Sequence, residues 1–175
     1  AADWKTGAAL DQALGQPIGI TWSERALRGG LQRLSHETGV AIFLDRRIDP
    51  DQELNLQKSP RPLDTLLSEI AATFSAHTSR LAAVIYIGPE ESADELATVA
   101  ALRRQEIAKL STDERASLLA SRPLQWEELA EPRQLVEQLC REVHRSIENP
   151  EQIPHDLWPA VELPPLPWSD RLTLV

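Results

Sequence analysis

The chain has 175 residues, 42% of them hydrophobic, enough for one ordinary domain or two very small ones with a real core, which excludes disorder throughout. Its net charge of −9 is uneven: acidic against basic residues number 10 to 9 over residues 1–89, 7 to 5 over 90–122 and 10 to 4 over 123–175. An acidic chain without a basic stripe is ill suited to neutralising phosphates and is repelled by an anionic lipid surface, so nucleic acid and direct membrane insertion are set aside as modes of action.

After a short N-terminal segment with Trp4 and Leu10, the run GITW at residues 19–22 reads as a strand, and Leu27, Leu31 and Leu34 then recur at helical spacing. Gly39 stands where a C-cap is expected, and the β-branched apolar run VAIFL at 40–44 predicts a buried strand. DRRIDPDQ turns the chain, and ELNLQ alternates polar and apolar side chains with Leu54 and Leu56 on one face, as a half-buried strand does. Pro62 suits the start of a helix carrying Leu63, Leu66, Leu67, Ile70 and Phe74, and a closing hairpin is predicted at about 76–80 and 83–87. The order is βαββαββ.

Two capping boxes follow, Ser92 with Glu95 and Ser111 with Glu114. They predict a helical linker over 90–122 whose stripe of Leu96, Val99, Ala100 and Leu102 packs on the first module. Beyond it the sequence echoes itself. At a constant offset of 105, Arg28, Leu34, Glu37, Ile42, Ile48, Pro60, Pro62 and Leu67 fall on the identical residues Arg133, Leu139, Glu142, Ile147, Ile153, Pro165, Pro167 and Leu172. Leu31, Leu56 and Ile70 fall on valines, and matches that respect the element assignments from residue 28 to 70, 43 positions without a gap, predict an internal duplication. The expected architecture is therefore α+β: a βαββαββ module with an N-terminal extension at 1–89, the linker, and an incomplete βαββα copy at 123–175. The second copy would stop inside its second helix, which predicts that the natural protein continues.

With these elements placed, residues 20–89 resemble the short N-terminal domain shared by secretins and TonB-dependent receptors. The resemblance is carried by LRGGLQRLSHETGVAIFLD at 27–45, by LNLQKSPRPLDTLLSEI at 54–70 and by VIYIGP at 84–89. Gly29 and Gly30 inside the first helix depart from the pattern, at about 1 kcal/mol each against alanine, and no plug, barrel or pore sequence follows. The resemblance implies a bacterial cell-envelope, periplasmic module that docks onto another envelope protein; it implies neither a receptor nor a secretin. The lone Cys140 can close no intramolecular disulfide and leaves the redox compartment open. The absence of methionine and the Ala1-Ala2 start predict a processed, exported chain.

No residues assemble into a recognisable catalytic motif, and no enzyme activity or cofactor is expected. There is no G-x-S-x-G, no S-x-x-K, and no glycine after Gly88 to build a phosphate loop. Cys140 and His144 have the spacing of two metal ligands on one helix face, with His155 as a third, but Leu135, Val136, Leu139, Val143 and Ile147 make Cys140 read as a small hydrophobe at the core. Asp45, Asp49, Asp51 and Glu53 crowd one loop without the spacing of an EF-hand, and read as a solvated turn. The candidate partner-binding residues are Trp158, His155 and Trp168, in and around the proline-rich run IPHDLWPAVELPPLPW, with Trp158 the better candidate for exposure. Docking through a sheet edge or helix face is the expected mode; the alternative is a carbohydrate or cell-wall binding surface built on these tryptophans.

Overall fold

The computed structural model of the chain describes residues 3–175; the Ala1-Ala2 start lies outside them. The protein is α+β and divides into two compact units, Ala1–Ala97 and Thr98–Val175. In the first, α1 (Gly7–Gly15) precedes β1 (Pro17–Ala26), α2 (Leu27–Thr38), β2 (Ala41–Leu44), β3 (Glu53–Pro62), α3 (Leu63–Ala72), β4 (Ala76–Leu81) and β5 (Val84–Pro89). From β1 to β5 this is the predicted βαββαββ order. Helix α1 is an addition to the expected elements, although Leu10, Ala13 and Leu14, all buried, stand at helical spacing.

Strands β1 and β3 pair antiparallel and each runs straight into a helix, β1 through Ala26 into α2 and β3 through Pro62 into α3. Pro62 works there because a helix N-cap needs no intrahelical N–H and its φ of −49 suits the junction. The other sheet has the order β2-β5-β4, parallel between β2 and β5 and antiparallel between β4 and β5. It packs against both helices, β2 on α2 and β4 on α3. Leu27, Leu63, Leu66, Leu67, Ile70, Val40, Val84 and Ile87 are fully buried in this unit. Gly39 caps α2 in the left-handed conformation as expected, its N–H donating to the Ser35 carbonyl at 2.9 Å.

Helix α4 (Glu90–Ala108) begins directly after β5, and the division between the units falls inside it. Two expectations for this region are corrected. Ser92 does not cap a helix, because the helix has already started two residues earlier, and its hydroxyl instead accepts from Arg47 Nη2 at 2.8 Å. Leu102 is not part of a packed stripe but 55% exposed; the buried positions of α4 are Ala93, Leu96, Ala100 and Ile107. The Ser111–Glu114 box is present, with Glu114 N–H donating to Ser111 Oγ and Glu114 reaching back to the Ser111 N–H.

The second unit contains α5 (Thr112–Leu119), β6 (Ser121–Trp126), α6 (Pro132–Glu142), a 3-10 turn (Pro150–Gln152), β7 (Val161–Pro167) and α7 (Trp168–Leu174). The predicted βαββα order is corrected in one element: no strand stands between α6 and β7 among the described residues. The corresponding stretch, Arg145 onward, is polar and ends at Pro150, so it lacks the apolar run that makes AIFL a buried strand.

The antiparallel ladder of the first unit recurs in the second. Ile18↔Arg61, Ile20↔Lys58, Thr21↔Gln57 and Trp22↔Leu56 correspond to Arg122↔Leu166, Leu124↔Leu163, Gln125↔Glu162 and Trp126↔Val161. Both ladders are irregular at the same place, between Ile18 and Ile20 and between Arg122 and Leu124. The isolated bridge Ala130↔Trp158 takes the place of Ala26↔Glu53. The first strand is thus offset by 104 and everything from α6 onward by 105, the extra residue being Glu131. A gapless offset of 105 therefore misses the strongest pair of all, Trp22 and Trp126, both buried at matching positions of the ladder.

Candidate functional site

Trp158, the candidate expected to be the more exposed, is buried at 8%. The reason is local: its backbone N–H donates to the Ala130 carbonyl at 2.8 Å, which turns the ring onto Trp126 with centroids 5.7 Å apart, and its indole N–H donates to Asp156 Oδ2. Trp126 in turn donates to the Pro159 carbonyl at 2.7 Å. Trp168 is half-buried and donates its indole N–H to the Leu139 carbonyl at 2.6 Å, one of the last four carbonyls of α6 that have no intrahelical partner. His155 is exposed in the irregular stretch before Trp158. The two indoles thus serve as internal fasteners, and a flat sugar-stacking platform is not built from them.

Cys140 is buried, and burial pushes its thiol pKa up. The shared helix face expected for Cys140 and His144 is not realised, because α6 ends at Glu142 and His144 takes a left-handed φ of 55 beyond it.

The acidic loop holds a feature that its composition does not show. Asp45 is not in a solvated turn but buried at 9%, at the end of β2. Its Oδ1 accepts from the Arg47 backbone N–H at 2.8 Å and Nε at 2.9 Å, and its Oδ2 from Arg47 Nη2 at 2.9 Å and the Tyr86 hydroxyl at 2.5 Å. Arg47 Nη2 also reaches Ser92, so the cluster ties the β2–β3 loop to β5 and to the start of α4. Gly88 makes room for it: a Cβ there would lie 2.5 Å from Tyr86 Cζ. The available signal was Tyr86 itself, the single tyrosine, set in an apolar strand where a buried hydroxyl requires a partner.

Burial alone would raise the Asp45 pKa, but the hydrogen bonds from Arg47 and Tyr86 outweigh it and hold the carboxyl below the ordinary 3.8. Burial and the Asp45 carboxylate together push the Tyr86 hydroxyl well above its ordinary value. An ionised acceptor and a neutral donor, each spent on the other, suit a structural clasp rather than proton transfer near neutral pH. A carboxylate with a depressed folded pKa contributes stability that is present above its unfolded pKa and lost as pH falls through the folded one. Below about pH 4, therefore, the wild-type chain loses stability that an Asp45→Asn variant does not hold at any pH, and unfolding midpoints measured from pH 2 to 6 will converge at the acid end. Tyr86→Phe will cost about 1 kcal/mol at pH 7, read from denaturant unfolding.

The second unit carries its own buried ionic groups. Arg171, 2% exposed, forks onto Glu142 through Nη1 at 3.0 Å and Nη2 at 2.7 Å, and Arg122 approaches the same carboxylate at 3.4 Å. Asp170, fully buried, takes both its oxygens to Arg104 Nη2 at 2.9 and 2.8 Å. Among the described residues no helix is long and apolar enough to cross a membrane. No protein-family model matches the sequence, and no curated protein matches it.

Proposed function

We propose that this chain is a non-enzymatic protein-docking module of the bacterial cell envelope, exported to the periplasm, of the kind that opens secretins and TonB-dependent receptors, and that its second unit is a reduced copy of its first. The observation that carries the docking reading is the β2-β5-β4 sheet, in which β2 and β4 are each paired on one side only. An edge strand offers a row of backbone donors and acceptors to which a partner strand can add, with neighbouring side chains setting selectivity. On the β4 edge, His77 and Arg80 are exposed polar residues that would discourage indiscriminate pairing. The recurrence of the β1–β3 ladder with its irregularity in β6–β7 supports the duplication. The net charge of −9 favours a protein partner over nucleic acid.

The test is crosslinking of the protein in its native cells, followed by mass spectrometry of the captured peptides. Reproducible crosslinks from β4 to one envelope protein, lost when a proline is placed in that edge strand as Ser79→Pro, are the expected result. Capture that ignores the proline, or crosslinks to cytoplasmic proteins, would refute the reading.

A further inference from the structure

Between β6 and α6 the second unit has a corner built on one bridge. Ala130 and Trp158 exchange both backbone hydrogen bonds, at 3.2 and 2.8 Å, and Leu129 and Leu157 each stand one residue before them. Alternation along an extended chain turns these two leucines away from the face on which Trp158 lies on Trp126, and residues so placed are diagonal cross-strand neighbours, on the order of 7–8 Å apart. They are 64% and 59% exposed. Leu129 also holds a φ of 65, the left-handed region that a leucine seldom enters, so the fold gains neither burial nor backbone ease from a leucine there.

The first unit has the same corner without the leucines. At the offset of 104 Leu129 falls on Arg25, and at 105 Leu157 and Trp158 fall on Gln52 and Glu53. Gln52 and Glu53 are exposed and Arg25 is half-buried, although β2, β4 and β5 are all in place on the helices of that unit. The sheet that covers α2 and α3 therefore does not reach this corner, and an equivalent sheet would not cover the leucines. Their surroundings in sequence are of one sign: residues 123–132 and 146–170 hold eight carboxylates, among them Glu127, Glu128, Glu131 and Asp156, and no lysine or arginine.

Resting on the reading of the second unit as a reduced, protein-docking copy, we infer that Leu129 and Leu157 are the contact by which this unit holds a partner protein, and that the segment it takes is basic and apolar, a lysine- or arginine-rich stretch that sets aliphatic side chains on the pair. Two neighbouring apolar side chains, where the first unit keeps polar ones, leave water only under another surface. The carboxylates around them select the charge of that surface, since a cationic segment is attracted and an acidic one, or an anionic lipid headgroup, is repelled. Trp158, stacked on Trp126 and bonded to Asp156, fixes the chain beneath the pair, so the contact is preformed.

The probe is a short synthetic peptide of alternating lysine and leucine, titrated into the full chain and followed by calorimetry, with lysine–serine and glutamate–leucine peptides of the same length beside it. Saturable binding of the lysine–leucine peptide is expected, at least about tenfold tighter than that of either control, and weakened at least about tenfold by Leu129→Asn combined with Leu157→Gln. Asparagine tolerates the left-handed φ, and glutamine stands at the matching position of the first unit, so neither change should lower the thermal unfolding midpoint. Leu102→Gln, at a position 55% exposed on α4, should leave binding unchanged. No saturable binding, equal binding of the lysine–serine peptide, or binding that the leucine variants leave intact overturns the inference. So does self-association of the chain that the same variants abolish, since the occupant would then be a second copy, and so does a lowered unfolding midpoint, which would assign the leucines to the fold itself. If the peptide fails while Ser79→Pro still abolishes native crosslinks from β4, docking through the sheet edge stands and only this surface falls.

Discussion

Gly30→Ala will destabilise the first unit by about 2 kcal/mol, whereas Gly29→Ala, one position earlier in the same helix, will stabilise it by about 1 kcal/mol. Intrinsic propensity treats the two alike, since alanine exceeds glycine in any helix interior by restricting the unfolded chain. The packing does not. A Cβ at position 29 would meet nothing within 4 Å, but at position 30 it would lie 2.7 to 2.8 Å from three ring carbons of Trp22. Trp22 is 7% exposed and paired through its strand with Leu56, so the rigid indole cannot withdraw without distorting the β1–β3 ladder. Denaturant unfolding of the two single variants reads the opposite signs directly. In a Trp22→Leu background Gly30→Ala should become neutral or favourable, which separates the steric cost from any general intolerance at the site.

Arg171→Ala will destabilise the second unit by about 3 kcal/mol, more than removal of any single exposed ion pair. The guanidinium is held by both oxygens of Glu142, its side chain is 3% exposed, and the Glu142 side chain is 20% exposed. Truncation leaves a partly buried carboxylate with only the longer contact from Arg122, whose own side chain is 57% exposed. The double variant Arg171→Met with Glu142→Gln will recover part of the loss, because no ionised group then stays uncompensated. By contrast Arg33→Ala, which breaks a pair with Glu37 whose side chains are 63% and 55% exposed, will shift the unfolding midpoint little. An Arg171 effect no larger than that of Arg33 would show that the fork contributes nothing beyond a surface pair.

Both effects depend on contacts between residues far apart in sequence, and the same division runs through the whole protein. Periodicity made α2, α3, β2, β3 and the β4–β5 hairpin legible, because each presents one apolar face or run that only one backbone period can bury. The cap at Gly39 and the box at Ser111 and Glu114 are equally local, since each is completed within one turn of chain. The internal match between the two halves was visible from Arg28 onward, where helix and strand keep step at 105, but not across β6, where Glu131 shifts the count by one.

What needed the folded chain was every question of which surface meets which. Asp45 reads as one more carboxylate in an acidic loop until β5 runs parallel beside β2 and brings Tyr86 to it. Trp158, flanked by a proline, reads as a docking residue until the bridge to Ala130 lays it on Trp126. Gly30 reads as a weak point of its helix until Trp22 occupies the space a methyl group would fill. Backbone period and capping are encoded within a few residues and survive in the sequence as pattern; burial and partnership are set by long-range pairing, which a linear pattern does not carry.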